Sequence, residues 1–216
     1  IGNFKGEVLH SSRFKAGKQW RGRPVMVFGT GTSAHDICQE LQAAGADVTM
    51  IQRSPTMVVN VEPAQLYDRT YLGDGPPIAS RDILNSGVPL PVMKAAHKLV
   101  TDEVKRLDAP LLARLEAARF RLEYGEDGTG WQFKYLTRGG GYYFNVGCSD
   151  MIVEGKVGLV QYSDIAEFVA GGARMPPGTI HLPDWVESEW LKQFVGEQLV
   201  TVKTKRGFAR LEWQKL

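Results

Sequence analysis

The chain has 216 residues, 43% of them apolar and 23% charged, and a formal net charge of +2. This is the composition of a soluble globular protein of one domain to one and a half, and the small, dispersed charge argues against a nucleic-acid or membrane partner. The two cysteines, Cys38 and Cys148, form no C-x-x-C pair, so neither a redox dithiol nor a cysteine-rich zinc site is expected; with no bilayer-length apolar run and no signal peptide, a cytoplasmic location is expected.

The chain opens at Ile1, in mid-pattern, and reads as a piece of a longer protein or a processed one. Residues 1–24 form an entry segment ending in the polar turn Trp20-Arg-Gly-Arg-Pro24. Val25 to Phe28 is a short apolar run that predicts a buried strand. Gly29, Thr30, Gly31, Thr32, Ser33 and Ala34 follow, with the spacing G-x-G-x-x-A. A helix is predicted from about Ser33 to Ala44, with Ser33 as N-cap, Ile37, Leu41 and Ala44 at helical spacing, and Gly45 as the stop. Val48 to Ile51 is a second apolar strand, which completes a βαβ unit with a dinucleotide fingerprint in its first turn. Gly29 would allow the tight turn, Gly31 the approach of a pyrophosphate to the backbone, and Ala34 the close packing of helix on strand. The helix start would face the anion. A tight strand-to-helix turn without a ligand is the alternative.

The end of the second strand discriminates between nucleotides. A site for NAD usually carries Asp or Glu about 20 residues beyond the motif, against the ribose 2′-hydroxyl. The corresponding stretch, Ile51-Gln-Arg-Ser-Pro-Thr56, has no carboxylate. Arg53 and Ser54 offer a charged fork and a hydroxyl suited to a 2′-phosphate, which favours NADP. A solvated surface arginine is the competing reading of Arg53.

Val58 to Val61 reads as a short strand. Residues 62–91 read as a loop-like insertion, punctuated by Gly73-Asp-Gly-Pro-Pro77 and Gly87-Val-Pro-Leu-Pro91, with Tyr67 and Tyr71 on a helical turn. Residues 92–121 are predicted helical, with Met93, Ala96, Leu99, Val100, Val104 and Leu107 as one core stripe, a break at Pro110, and Leu111, Leu112, Leu115 and Ala118 continuing. His97 has no spaced partner for a metal. The glycines of residues 125–141 suit either close ligand approach or a flexible corner. Strands are predicted at Tyr142–Val146 and Val157–Gln161, with a helix or turn at Asp150–Gly155. The last third reads as a strand at Thr179–Leu182, an amphipathic helix at Trp185–Phe194, and a hairpin of Leu199–Thr204 with Phe208–Trp213.

Phe4, Gly6, His10 and Phe14 spell F-x-G-x-x-x-H-x-x-x-[FY] just ahead of the G-x-G-x-x-A turn. This pairing resembles the flavin-containing monooxygenases in the broad sense that includes their YUCCA-like and Baeyer–Villiger relatives. Val48–Thr56, Lys134–Phe144 and Val157–Ile165 also look like that family, so the resemblance covers roughly residues 1–175. It implies an α/β, Rossmann-like (three-layer) NAD(P)-binding domain, a fragment of a flavoprotein with two dinucleotide-binding domains. Residues 1–24 would be the junction to the FAD domain. Residues 25–175 would be the NADP domain, with a helical insertion at about 62–131, and 176–216 an atypical tail.

The resemblance further implies NADP and FAD as cofactors, and a small-molecule substrate and O₂ as partners. NADPH would reduce the flavin, and reduced flavin would activate O₂ to oxygenate the substrate. The candidate binding residues are Gly29, Thr30, Gly31, Thr32, Ser33, Ala34, Arg53 and Ser54. No catalytic residue is assigned, and His10 is expected to play a structural part. The family's FAD-binding G-x-G-x-x-G and its A-T-G-[YF] segment are both missing from the chain. The tail from about Met175 departs from the family, as an altered frame, a different splice or a gene fusion would make it. A disulfide-reductase relative is disfavoured by the missing C-x-x-C. A non-catalytic domain that binds NADP or a partner is the rival reading.

Overall fold

The computed structural model describes residues 2–175, 199–204 and 207–212. Among them the elements in chain order are β1 (Pro24–Phe28), α1 (Thr32–Ala43), β2 (Asp47–Gln52), β3 (Met57–Asn60), α2 (Val61–Ala64), α3 (Ile78–Ser86), α4 (Leu90–Leu107) and α5 (Ala109–Ala117). There follow α6 (Gly130–Arg138), β4 (Tyr142–Asn145), α7 (Cys148–Val153), β5 (Gly158–Gln161), β6 (Glu167–Val169), β7 (Gly172–Arg174), β8 (Leu199–Thr204) and β9 (Gly207–Glu212). The class is mixed α/β with parallel sheets. The chain divides into two units, one of Ile1–Gly29, Ser33–Arg53 and Asp150–Leu216, the other of Thr30–Thr32 and Ser54–Ser149. Among the described residues no helix is long and apolar enough to cross a membrane.

In the first unit, β1, β2 and β5 form a parallel sheet in the order β1-β2-β5, with Phe28 opposite Ile51 and Met50 opposite Leu159. Central β2 buries Val48, Met50, Ile51 and Gln52, as a strand paired on both edges does. Helix α1 buries Ala34, His35, Cys38 and Leu41, whose spacing gives one face. Gly45 then turns left-handed (φ 86°), and the Ala46 N–H donates to the Leu41 carbonyl at 3.0 Å, closing the helix. The entry segment packs on this end. A Cβ at Gly17 would lie 2.7 Å from both the Ala44 Cβ and the Glu40 carbonyl.

In the second unit, β3 and β4 pair in parallel, from Met57 opposite Tyr142 to Asn60 opposite Asn145. Met57, Val59, Ala64, Tyr67 and Val104 form the core there, flanked by Leu66, Val100, Trp131, Tyr142 and Phe144. Asp108, at the α4–α5 corner, is buried and accepts from the Asn60 backbone N–H at 2.9 Å and from Asn60 Nδ2 at 2.7 Å. That places the corner against the end of β3.

Three expectations are corrected. Residues 62–91 are not loop-like: α2, a 3₁₀ run over Gln65–Tyr71, and α3 occupy most of them. Helix α3 escapes periodicity because Ile78, Ile83 and Leu84 are exposed and its buried residue is Arg81, whose guanidinium donates to the carbonyls of Pro76, Thr70 and Gly73. The core face of α4 is His97, Thr101 and Val104, rather than the full aliphatic stripe; Leu99 is 73% exposed. And α6 lies within the glycine-rich stretch. Gly139 is its left-handed C-cap (φ 67°), and Gly141 leaves room for the Lys134 stem, so these two glycines serve a corner. The C-terminal hairpin is present as β8 and β9, antiparallel, with Leu199 opposite Glu212. The strand expected at 179–182, the helix at 185–194 and Trp213 lie outside the described residues.

His97 is buried against Tyr67 and Phe133, with ring centroids at 5.3 and 5.0 Å. Burial holds its imidazole below the ordinary range; a Thr129 backbone hydrogen bond and the Asp68 charge oppose this in part. The unfolded chain therefore binds this proton more readily than the folded one, and stability rises with pH through that window. Thermal melting is expected at lower temperature as pH falls below about 6.5, the unperturbed histidine value. His97→Gln should flatten that dependence; an unchanged slope would mean that other groups set it.

Candidate functional site

The candidate site is built on the turn that follows β1. The Gly29 N–H donates to the Ile51 carbonyl at 2.9 Å, so the turn begins in register with the end of β2. Gly29 has φ 115°, a region that favours glycine, and a Cβ there would meet only the Ala34 Cβ, at 4.0 Å. Ala34 is buried. Gly29 thus turns the chain, and the small side chain of Ala34 is buried beside it at the start of α1. Gly31 has nothing within 4 Å of where a Cβ would stand, so the space beside its backbone is open.

Thr30 is buried, with its Oγ1 2.5 Å from Thr56 Oγ1. Thr32 is exposed, and its Oγ1 donates to the Tyr142 carbonyl at 3.3 Å. Ser33 is also exposed and lies in the first turn of α1, which starts at Thr32; it is inside the helix rather than capping it from outside. The twelve-residue helix carries the positive end of its dipole at this start.

Arg53 and Ser54 are exposed and follow directly on β2. Because Phe28 pairs with Ile51 in parallel, Gly29 and Arg53 leave their strands at the same carboxyl end, where open α/β sheets bind ligands. Gly29, Ser33, Ala34 and Arg53 belong to the first unit, and Thr30, Gly31, Thr32 and Ser54 to the second. Within the second unit Thr56 Oγ1 also lies 3.5 Å from the Ser54 carbonyl. Thr56 and Tyr142 reach Thr30 and Thr32 through contacts that residue spacing does not announce, although both lie in stretches that resemble the family.

His10 accepts from the Ser12 N–H through Nδ1, at 3.2 Å, and caps the short turn Ser11–Arg13. The Phe4 ring lies over Gly6, where any Cβ would collide with it. Both are structural parts for the entry motif. Among the described residues no group of His, Cys, Asp and Glu could hold a metal ion.

Residues 1–72 match the flavin-binding monooxygenase-like family model. A probable indole-3-pyruvate monooxygenase of Arabidopsis thaliana is 39% identical over 62 residues, 29% of this chain and 16% of that protein. An indole-3-pyruvate monooxygenase of Oryza sativa subsp. indica is 37% identical over 70 residues, 32% of this chain and 16% of the relative. An N-oxide-forming dimethylaniline monooxygenase of Homo sapiens is 37% identical over 59 residues, 27% of this chain and 11% of the relative. The chain therefore spans only 11–16% of the length of these relatives. The resemblance to the flavin-containing monooxygenases holds over residues 1–72, a shorter stretch than the 1–175 expected. Residues 147–216 match a different family model, the endonuclease domain of the terminase large subunit gpA, and 73–146 lie outside both matches.

Proposed function

We propose that β1, α1 and β2 are the NADP-binding part of a Rossmann-like domain, and that the chain carries this part of a flavin- and NADPH-dependent monooxygenase. The observation that carries the reading is the turn itself: a positive-φ Gly29 beside buried Ala34, open space at Gly31, and the start of a long helix. The match of residues 1–72 to flavin-binding monooxygenases supports it. This geometry fits a pyrophosphate. The backbone of Gly29 to Thr32 and the first turn of α1, with Ser33, would hold it, and Ala34 keeps the helix close. Arg53 and Ser54 would take the 2′-phosphate. When bound, NADPH supplies the hydride that reduces a flavin before oxygenation. The chain's own part is to bind and orient the dinucleotide, as a fragment of the kind its coverage of the relatives suggests.

The relatives are named for indole-3-pyruvate and for dimethylaniline, an α-keto acid and a tertiary amine, so a small organic substrate with O₂ is the class proposed. Titration of the full chain with NADPH and NADH tests the reading: tight NADPH and weaker NADH binding is expected, and no binding of either overturns it. Bound FAD in the purified chain would favour a catalytic monooxygenase; a colourless chain that binds NADPH would favour the non-catalytic NADP-binding alternative.

A second reading attaches to residues 147–216. Their match to a terminase endonuclease domain supports a composite chain, as a gene fusion would make, with a nucleic-acid-cleaving relative behind its tail. Cleavage of plasmid DNA with and without Mg²⁺ tests it, and would revise the expectation of no nucleic-acid partner.

A further inference from the structure

The two threonines that flank Gly31 are both tied down, and to neighbouring positions. Thr30 Oγ1 lies 2.5 Å from Thr56 Oγ1, and Thr32 Oγ1 donates to the Tyr142 carbonyl at 3.3 Å. Thr56 immediately precedes Met57, the first residue of β3, and Met57 stands opposite Tyr142, the first residue of β4. Both tethers thus end at the start of one parallel strand pair, inside the second unit. Thr56 is itself fixed through its backbone: its N–H donates to the Arg121 carbonyl at 3.1 Å, and its carbonyl accepts from the Glu123 N–H at 3.4 Å. Thr30 and Thr56 are 5% and 3% exposed, so their hydroxyls meet each other rather than solvent.

A glycine between two residues is the least restrained backbone in a turn. A loop that must hold an anion on its N–H groups gains affinity when its conformation is set beforehand, because less freedom is lost on binding. We propose that Thr56 is a positioning residue for the dinucleotide: through Thr30 it holds the G-x-G loop in its binding conformation, with the Thr32–Tyr142 bond as the second tether. Thr56 reaches no ligand in this role. The proposal rests on the NADP reading of the loop and adds to it a residue outside the motif.

The test measures NADPH binding by isothermal titration to the full 216-residue chain and to its Thr30→Val, Thr56→Val, Thr56→Ser and Thr30→Val/Thr56→Val variants, well below their melting temperatures. Valine keeps the shape and removes the hydroxyl. Each single valine variant is expected to bind NADPH about three- to tenfold more weakly, the fold-change of one ordinary hydrogen bond. The double variant is expected to be no weaker than the worse single one, since both remove the same bond. Thr56→Ser, which keeps the hydroxyl, is expected to bind as the parent does. Valine variants that melt earlier but bind NADPH with parental affinity would reduce the bond to a fold contact and overturn the proposal, leaving the NADP reading intact. A parent chain that binds no NADPH would overturn both.

Discussion

Arg53→Ala is expected to remove the preference for NADPH over NADH, lowering the affinity ratio by about ten- to thirtyfold with NADH binding unchanged. Arg53 is the cation next to the end of β2, in a stretch from Ile51 to Thr56 that has no carboxylate to hold a ribose 2′-hydroxyl. A charge-assisted hydrogen bond contributes about 1.5–3 kcal/mol, and the exposure of Arg53 puts the effect toward the low end because solvent screens it. The same screening predicts that the preference shrinks as ionic strength rises. Arg53→Lys should keep the charge and lose the fork, and so fall between parent and alanine. Parallel titrations of both nucleotides at two salt concentrations measure all of this. If the ratio is the same in Arg53→Ala as in the parent, Arg53 is a solvated surface residue and the choice of NADP lies elsewhere.

Gly130→Ala is expected to destabilise the protein by roughly 2–5 kcal/mol, the sum of overpacking and left-handed backbone costs. Gly130 begins α6 with φ 79°, and an added Cβ would collide with the Tyr67 hydroxyl and stand 2.5 Å from Tyr67 Cζ. Tyr67 has little room to give. It is buried, its hydroxyl lies 2.7 Å from Thr101 Oγ1, and its ring is edge-on to Trp131 at 5.8 Å. Burial has already pushed its phenol up to about 12, so the hydroxyl stays neutral and hydrogen-bonded throughout the usable pH range. Gly128→Ala is the matched control: φ is 75° there, but nothing lies within 4 Å of the added Cβ. It should cost only the backbone part, about 1–2 kcal/mol. Chemical denaturation of the two variants separates collision from backbone strain. Equal losses would show that Tyr67 moves aside freely.

The βαβ unit was legible because three local signals agree there. Short apolar runs mark β1 and β2, Ile37, Leu41 and Ala44 mark the helix between them, and Gly45 ends it. The entry motif and the turn together also pointed to the family whose model matches residues 1–72. Where signals were local but weak, the reading failed. Helix α6 is short and enclosed by glycines, so composition hid it. In α4 the aliphatic residues suggested one face, yet the buried face carries His97 and Thr101, because Tyr67 and Phe133 supply an aromatic and hydroxyl partner for each. Nothing in the amino-acid order announces such partners.

The candidate site divides in the same way. Amino-acid order by itself determined the turn: which glycine takes a positive φ, which small residue lets the helix approach, and the absence of a carboxylate after β2. These depend on neighbours within a few positions, where backbone sterics act directly. Only the tertiary structure decided what holds the turn in place. Thr56 is 26 positions from Thr30, and Tyr142 is 110 from Thr32. A hydrogen bond needs its partners within about 3 Å, and no pattern of residue types sets that distance across 26 or 110 positions; the tertiary fold, which brings the starts of β3 and β4 to Thr30 and Thr32, does.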